Sequence, residues 1–170
     1  MRSREKYLSD YRKGRSNLLM MIGLTVVNII LIYANANLSF PFSATFPQLS
    51  ILFGNVYFEE YGLQIFAIVG VIISIISLGI YFICYYFSKN HYGFMITALV
   101  LFSIDLLILL FWTIGALDMS YLIDIAFHAW VLYYLIIGTR AGAMLRKLPQ
   151  EEAAEPAITS GSYSQHDNLN

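Results

Sequence analysis

Three ionisable side chains lie within strongly apolar sequence, and they have the chemical means to do more than pack. Asp105 stands in LVLFSIDLLILL, and Asp124 and His128 stand in YLIDIAFHAWVL. Asp124 and His128 are four residues apart, which places them on one face of a helix. A carboxylate and an imidazole in contact can hold or pass a proton, or bind a ligand. An ionised Asp at mid-helix in a bilayer costs about 2.5–3.5 kcal/mol on insertion scales. Both acids must therefore face a protein interior, be paired, or be protonated. Asn28, Ser74 and Ser77 add uncharged polar groups to two other apolar runs.

The elements that hold these residues follow from composition. The chain has 170 residues, 58% hydrophobic and 12% charged, with a mean hydropathy of +0.64. A soluble domain carries roughly 25% charge, and a disordered chain needs high charge and few aromatics. Both classes are excluded, which leaves an integral membrane protein. A net charge of −1 gives no basic excess that would point to nucleic acid. The single cysteine, Cys84, allows no intrachain disulfide, CxxC pair or cysteine metal cage. It reads as a small core or lipid-facing thiol, with lipidation as the alternative near a span end.

About 20 apolar residues cross a hydrocarbon core as a helix. Four stretches qualify, at about 17–36, 62–87, 92–116 and 119–139. The expected fold is all-α: a polytopic four-helix membrane bundle. All ten Lys and Arg residues flank it on one side. Arg2, Arg4, Lys6, Arg12, Lys13 and Arg15 precede the first span, Lys89 follows the second, and Arg140, Arg146 and Lys147 follow the fourth. The connections 37–61 and 117–118 carry no cation. The positive-inside rule then puts both termini in the cytoplasm. The basic leader, the first span and Ala34-Asn35-Ala36 imitate a signal peptide, but the apolar run exceeds the usual 7–15 residues, so an uncleaved first helix is expected.

The connection 37–61 is too apolar for a solvated linker. Pro41 and Pro47 break its start, and Gln48 to Phe58 is expected to form a short helix in the interface or a cap dipping between the spans. A lid packed on the bundle is the favoured reading, and a surface contacting a partner or substrate is the other. The links at 88–91 and 117–118 are tight, which makes spans two to four successive antiparallel hairpins. The helix of span four is expected to continue through AGAMLRKL before Pro149. The leader, residues 1–16, and the Arg140–Lys147 cations are expected to meet anionic lipid headgroups at the cytoplasmic face. The acidic tail, residues 148–170, reads as disordered. The spans show no internal repeat, so nothing favours an inverted-repeat transporter. Gly70-Val-Ile-Ile-Ser74 and Gly138-Thr-Arg-Ala-Gly142 are small-xxx-small patterns that permit close helix contact.

A turn near Asp118 sets Asp105 level with about Val131, one helical turn from His128, and Asp124 level with Trp112. Asn28, Ser74 or Ser77, Asp105 and His128 are then expected to share one polar layer. That layer either fixes helix register through interhelical hydrogen bonds or places Asp105 and His128 as a proton-carrying or ligand-binding pair. The chain has no HExxH, GxSxG, P-loop or DxD-type cluster, and its three histidines do not pair at one depth as a span-embedded haem needs. No cofactor and no metal are expected. Asp105, Asp124 and His128 alone are a weak ligand set.

HYGFMITALVLFSIDLLILL (91–110) and DIAFHAWVLYYLIIGTRAGAMLRKLP (124–149), with SNLLMMIGLTVVNIILI and FPFSATFPQL, resemble small four-span membrane proteins of Gram-positive bacteria with no assigned activity. The resemblance covers residues 16–149 and implies no catalytic residues. It implies that Asp105, Asp124, His128 and the Arg140 segment belong to a family pattern. Two functions are expected: a non-enzymatic scaffold or accessory subunit of a membrane complex, joined to a membrane-protein partner or a second copy, or a small proton-coupled transporter or channel using Asp105 and His128. An intramembrane enzyme acting on lipid is a third.

Overall fold

Backbone in lipid must satisfy its own hydrogen bonds, so long apolar runs fold as helices even where β-branched residues crowd. The computed structural model describes residues 2–36, 39–116 and 122–148. It contains α1 (Arg2–Tyr33), α2 (Thr45–Tyr61), α3 (Gln64–Phe87), α4 (Gly93–Ala116) and α5 (Leu122–Lys147). Four of them, α1, α3, α4 and α5, are long and apolar enough to cross a membrane, as a multi-pass membrane protein requires. Their outward faces carry Ile30, Ile75, Leu107, Phe111 and Ile114, all largely exposed. Such a belt needs lipid around it.

The helices differ from the expected spans mainly at their ends. The basic leader is helical from Arg2 and continuous with the first span. Span four continues as helix to Lys147. The expected turn at 117–118 and the acidic tail beyond Leu148 lie outside the described residues. α1 packs along α5, α4 lies against α5 and α3, and α2 packs along α3. Leu18, Met21, Met95, Ala98, Phe102, Val131 and Leu135 fill the centre with no exposure. Cys84 is buried there too, as a core thiol.

Helix α2 occupies most of the connection between the first two spans. At Gly62, with φ at +67°, the chain turns from α2 into α3, and the Gly62 N–H donates to the Phe58 carbonyl. Glycine takes that left-handed conformation without steric cost. Two glycines then let α2 and α3 meet backbone to backbone. A Cβ on Gly54 would lie 2.7 Å from the Phe66 carbonyl oxygen, and one on Gly70 would fall on that of Ser50. The Gly138 pattern serves α5 in the same way, because a Cβ there would lie 3.1 Å from the Gly14 Cα of α1.

At the end of the bundle bearing the cations, Arg15 closes the C-terminus of α3. Its Nε donates to Ser88 Oγ at 3.0 Å and its Nη2 to the Tyr85 carbonyl at 3.3 Å. The guanidinium lies 5.0 Å from the Tyr85 ring centroid, and the Tyr11 hydroxyl donates to the Ser88 carbonyl. A cation suits the partial negative charge of a helix C-terminus. Arg15 therefore has a structural place, beyond its expected role in setting topology.

Gly70→Ala should lower unfolding free energy by about 1–3 kcal/mol, because backbone is what its methyl meets. Gly79 has no atom within 4 Å of a built Cβ, and Gly79→Ala should be neutral or gain up to about 1 kcal/mol of helix propensity. Thermal unfolding of both variants in detergent tests the pair, and equal losses would contradict the α2–α3 contact.

Candidate functional site

Between α1 and α2 the chain turns back into the bundle. The N–H and C=O groups of that descending, non-helical backbone need partners at membrane depth, and side chains supply them. Asn28 of α1 binds Phe40 as a strand would. Its Oδ1 accepts from the Phe40 N–H at 2.7 Å, and its Nδ2 donates to the Phe40 carbonyl at 2.7 Å and to Ser43 Oγ at 2.8 Å. One turn deeper, Thr25 Oγ1 accepts from the Ala44 N–H at 2.8 Å while donating to the Met21 carbonyl. Phe42, at a φ of +78°, marks the tightest part of the turn, and its ring packs 4.2 Å from that of Phe127 on α5.

Helix α2 begins at the bottom of this turn. The first N–H groups of a helix have no intrahelical acceptor, and Asp105 of α4 supplies two. Its Oδ2 accepts from the Thr45 N–H at 2.8 Å and its Oδ1 from the Phe46 N–H at 2.7 Å. Pro47, buried in the first turn, has no N–H. It is part of the helix, where the sequence reading made it a breaker, and α2 starts three residues before the expected Gln48. Between them Thr25, Asp105 and Pro47 account for every unpaired donor from Ala44 to Pro47.

His128 completes the cluster. Its Nε2 lies 3.2 Å from Asp105 Oδ2 and 3.1 Å from Thr45 Oγ1, and its Nδ1 lies 2.8 Å from the Asp124 carbonyl oxygen. A carbonyl only accepts, so Nδ1 carries a hydrogen. Nε2 thus reaches both the Asp105 carboxyl and the Thr45 hydroxyl, and ties α5 to α4 and to the start of α2. The Phe102 ring stacks on the imidazole at 5.1 Å, with the planes 7° apart. Asp105 and His128 are 2% and 3% exposed.

The expected polar layer thus divides. Asp105 and His128 meet, as the hairpin register implied. Asn28 is at the right depth, but its partners are Phe40 and Ser43. It reaches the Asp105–His128 pair only through the inserted segment. Ser77 lines a small apolar cavity of about 240 Å³ with Asp105, Tyr81 and Phe46, and the buried Ser74 hydroxyl has no partner. Asp124 meets His128 through its backbone carbonyl, and the residue also lines a second cavity of about 470 Å³ between α1, α2, α4 and α5. Sequence reading missed Thr25 and Thr45. The only signal was their type, hydroxyls in or beside apolar runs.

No protein-family model, curated protein or solved structure matches the chain. The class that the fold and site fit is a multi-pass helical membrane protein, with four helices apolar enough to span and a shorter, 17-residue α2 capped from a neighbouring helix.

Asp105→Ala strands two amide N–H groups and His128 together, and should lower unfolding free energy by about 3–5 kcal/mol. Asn28→Ala should cost about 1–3 kcal/mol. Reversible unfolding in mixed micelles checks both against Ile75→Ala on the exposed face. An Asp105→Ala loss no larger than that control would contradict the capping role.

Proposed function

We propose that the protein is a non-enzymatic scaffold or accessory subunit of a membrane complex, resident in a bacterial plasma membrane with both termini in the cytoplasm. The observation that carries this reading is the use of the buried polar side chains. Asn28, Thr25, Asp105 and His128 all bind the inserted segment or its first helical turn. They hold α2 as a fixed element whose far end displays Val56, Tyr57 and Tyr61, exposed beside Glu59 and Glu60. A rigid, partly aromatic surface of this kind suits a membrane-protein partner or a second copy of the chain. The orientation is supported by the clustering of cations around the start of α1, the α3–α4 link and the end of α5, where anionic headgroups would meet them.

The buried contact of 3.2 Å between His128 Nε2 and Asp105 Oδ2 favours a second reading, a proton-coupled transporter or channel. Proteoliposomes separate the two. The scaffold reading predicts proton-dependent flux no greater than in protein-free vesicles, and a stoichiometric partner or homo-oligomer on purification in mild detergent. Flux that Asp105→Asn abolishes in a folded protein would replace it with the transporter reading, and an inert monomer would count against the scaffold.

A further inference from the structure

The larger cavity has a lining whose hydrogen-bonding sense is set by the inserted segment. It opens at the end of the bundle away from the cations, between apolar walls that include Leu49, Leu52, Leu109 and the edge-to-face pair Phe53–Trp112, with centroids 5.5 Å apart. Its polar groups are Asn28, Ser43, Gln48, Thr45 and Asp124, with Ser39 at the mouth. Asn28 Nδ2 uses its two hydrogens on the Phe40 carbonyl and Ser43. Gln48 Nε2 uses its two on Ser43 Oγ and the Ala44 carbonyl, at 2.5 and 3.0 Å. Ser43 donates to the Phe40 carbonyl, and Thr45 Oγ1 contacts His128 Nε2.

What these amides have left is acceptor capacity: the Gln48 carbonyl oxygen and the second lone pair of Asn28 Oδ1. Asp124 adds an acidic side chain to this lining. Among the described residues of the lining, Asp124 is the one acidic side chain, with no Lys, Arg or His beside it. Apart from Ser39 and the Trp112 indole, this side-chain lining asks its occupant for donors and positive charge. A cavity of this size accommodates a drug-sized molecule, and an aromatic wall favours a cation as well as an apolar body.

We propose that this cavity binds a primary ammonium joined to an apolar body, with the ammonium on Asp124 and the Gln48 carbonyl oxygen and the body against Trp112, Phe53 and the leucines. A free aralkyl amine offers both parts, and phosphatidylethanolamine offers the ammonium, carried on an ethyl linker from its phosphodiester. This reading stands whether or not the protein proves to be a scaffold.

Isothermal titration of the full chain in phosphatidylcholine nanodiscs, against empty discs, tests it with three probes of matched body: 4-phenylbutylamine, 4-phenylbutanol and 4-phenylbutyrate. The amine should bind about tenfold or more tightly than the alcohol, and the carboxylate should show no binding above empty discs. Asp124→Asn should bring the amine to the level of the alcohol, Asp124→Glu should keep the preference, and Trp112→Ala should weaken amine and alcohol alike. Displacement of the amine by phosphatidylethanolamine added to the discs would identify the lipid headgroup as the source, and no displacement would identify a free amine. Alcohol or carboxylate binding as tightly as the amine, amine heat equal to empty discs, or an unchanged preference in Asp124→Asn would overturn the proposal. If Asp124→Asn does not fold, the ranking of the three probes on the native chain decides.

Discussion

A carboxylate placed beneath the first turn of a helix controls this structure. Helix α2 starts near mid-depth, where two N–H groups and the positive end of a helix dipole need a partner from the protein. Asp105 gives each N–H one oxygen and sets negative charge against that dipole. The cost of a buried acid and the cost of a buried helix start are each prohibitive alone, and together they offset one another. His128 then meets that carboxyl through Nε2, and the Asp124 carbonyl fixes its ring. Without Asp105, the inserted segment would have no acceptable position between α1, α4 and α5.

The same device recurs at the other end of the α2–α3 hairpin. There Arg15 of α1 binds the Tyr85 carbonyl in the last turn of α3, so an ionisable group of the right sign stands at the free end of each helix. Both charges come from neighbouring spans, which ties the hairpin to the bundle at two depths. Glycine contacts at Gly54 and Gly70 keep its two arms close along their length. The result is a bundle in which the electrostatics of helix ends, more than apolar burial against lipid, fixes how the pieces sit. That fits the physics of membranes, where apolar burial gives little preference between one helix contact and another.

Much of this was legible in the sequence, for definable reasons. The four apolar helices follow from run length, and the Asp105–His128 meeting follows from a hairpin register that rises 1.5 Å per residue. The insertion of α2 was half legible: the segment was too apolar for a linker, but Pro47 read as a breaker because its place in a first turn depends on which donors remain unpaired. Asn28 was placed at the right depth and given the wrong partners. Its partner is backbone, and backbone has no signature in the sequence. Arg15 looked like any cation of a topology-setting run, because the carbonyls it binds belong to a helix far away in the chain.

The central claim, that Asp105 holds the start of α2, is tested most directly by amide hydrogen exchange at Thr45 and Phe46. In the native chain these two amides should exchange as slowly as those within the spans. In Asp105→Ala they should exchange much faster while the amides of α4 and α5 keep their protection. Unchanged protection at Thr45 and Phe46 in that variant, or fast exchange there in the native chain, would contradict the account.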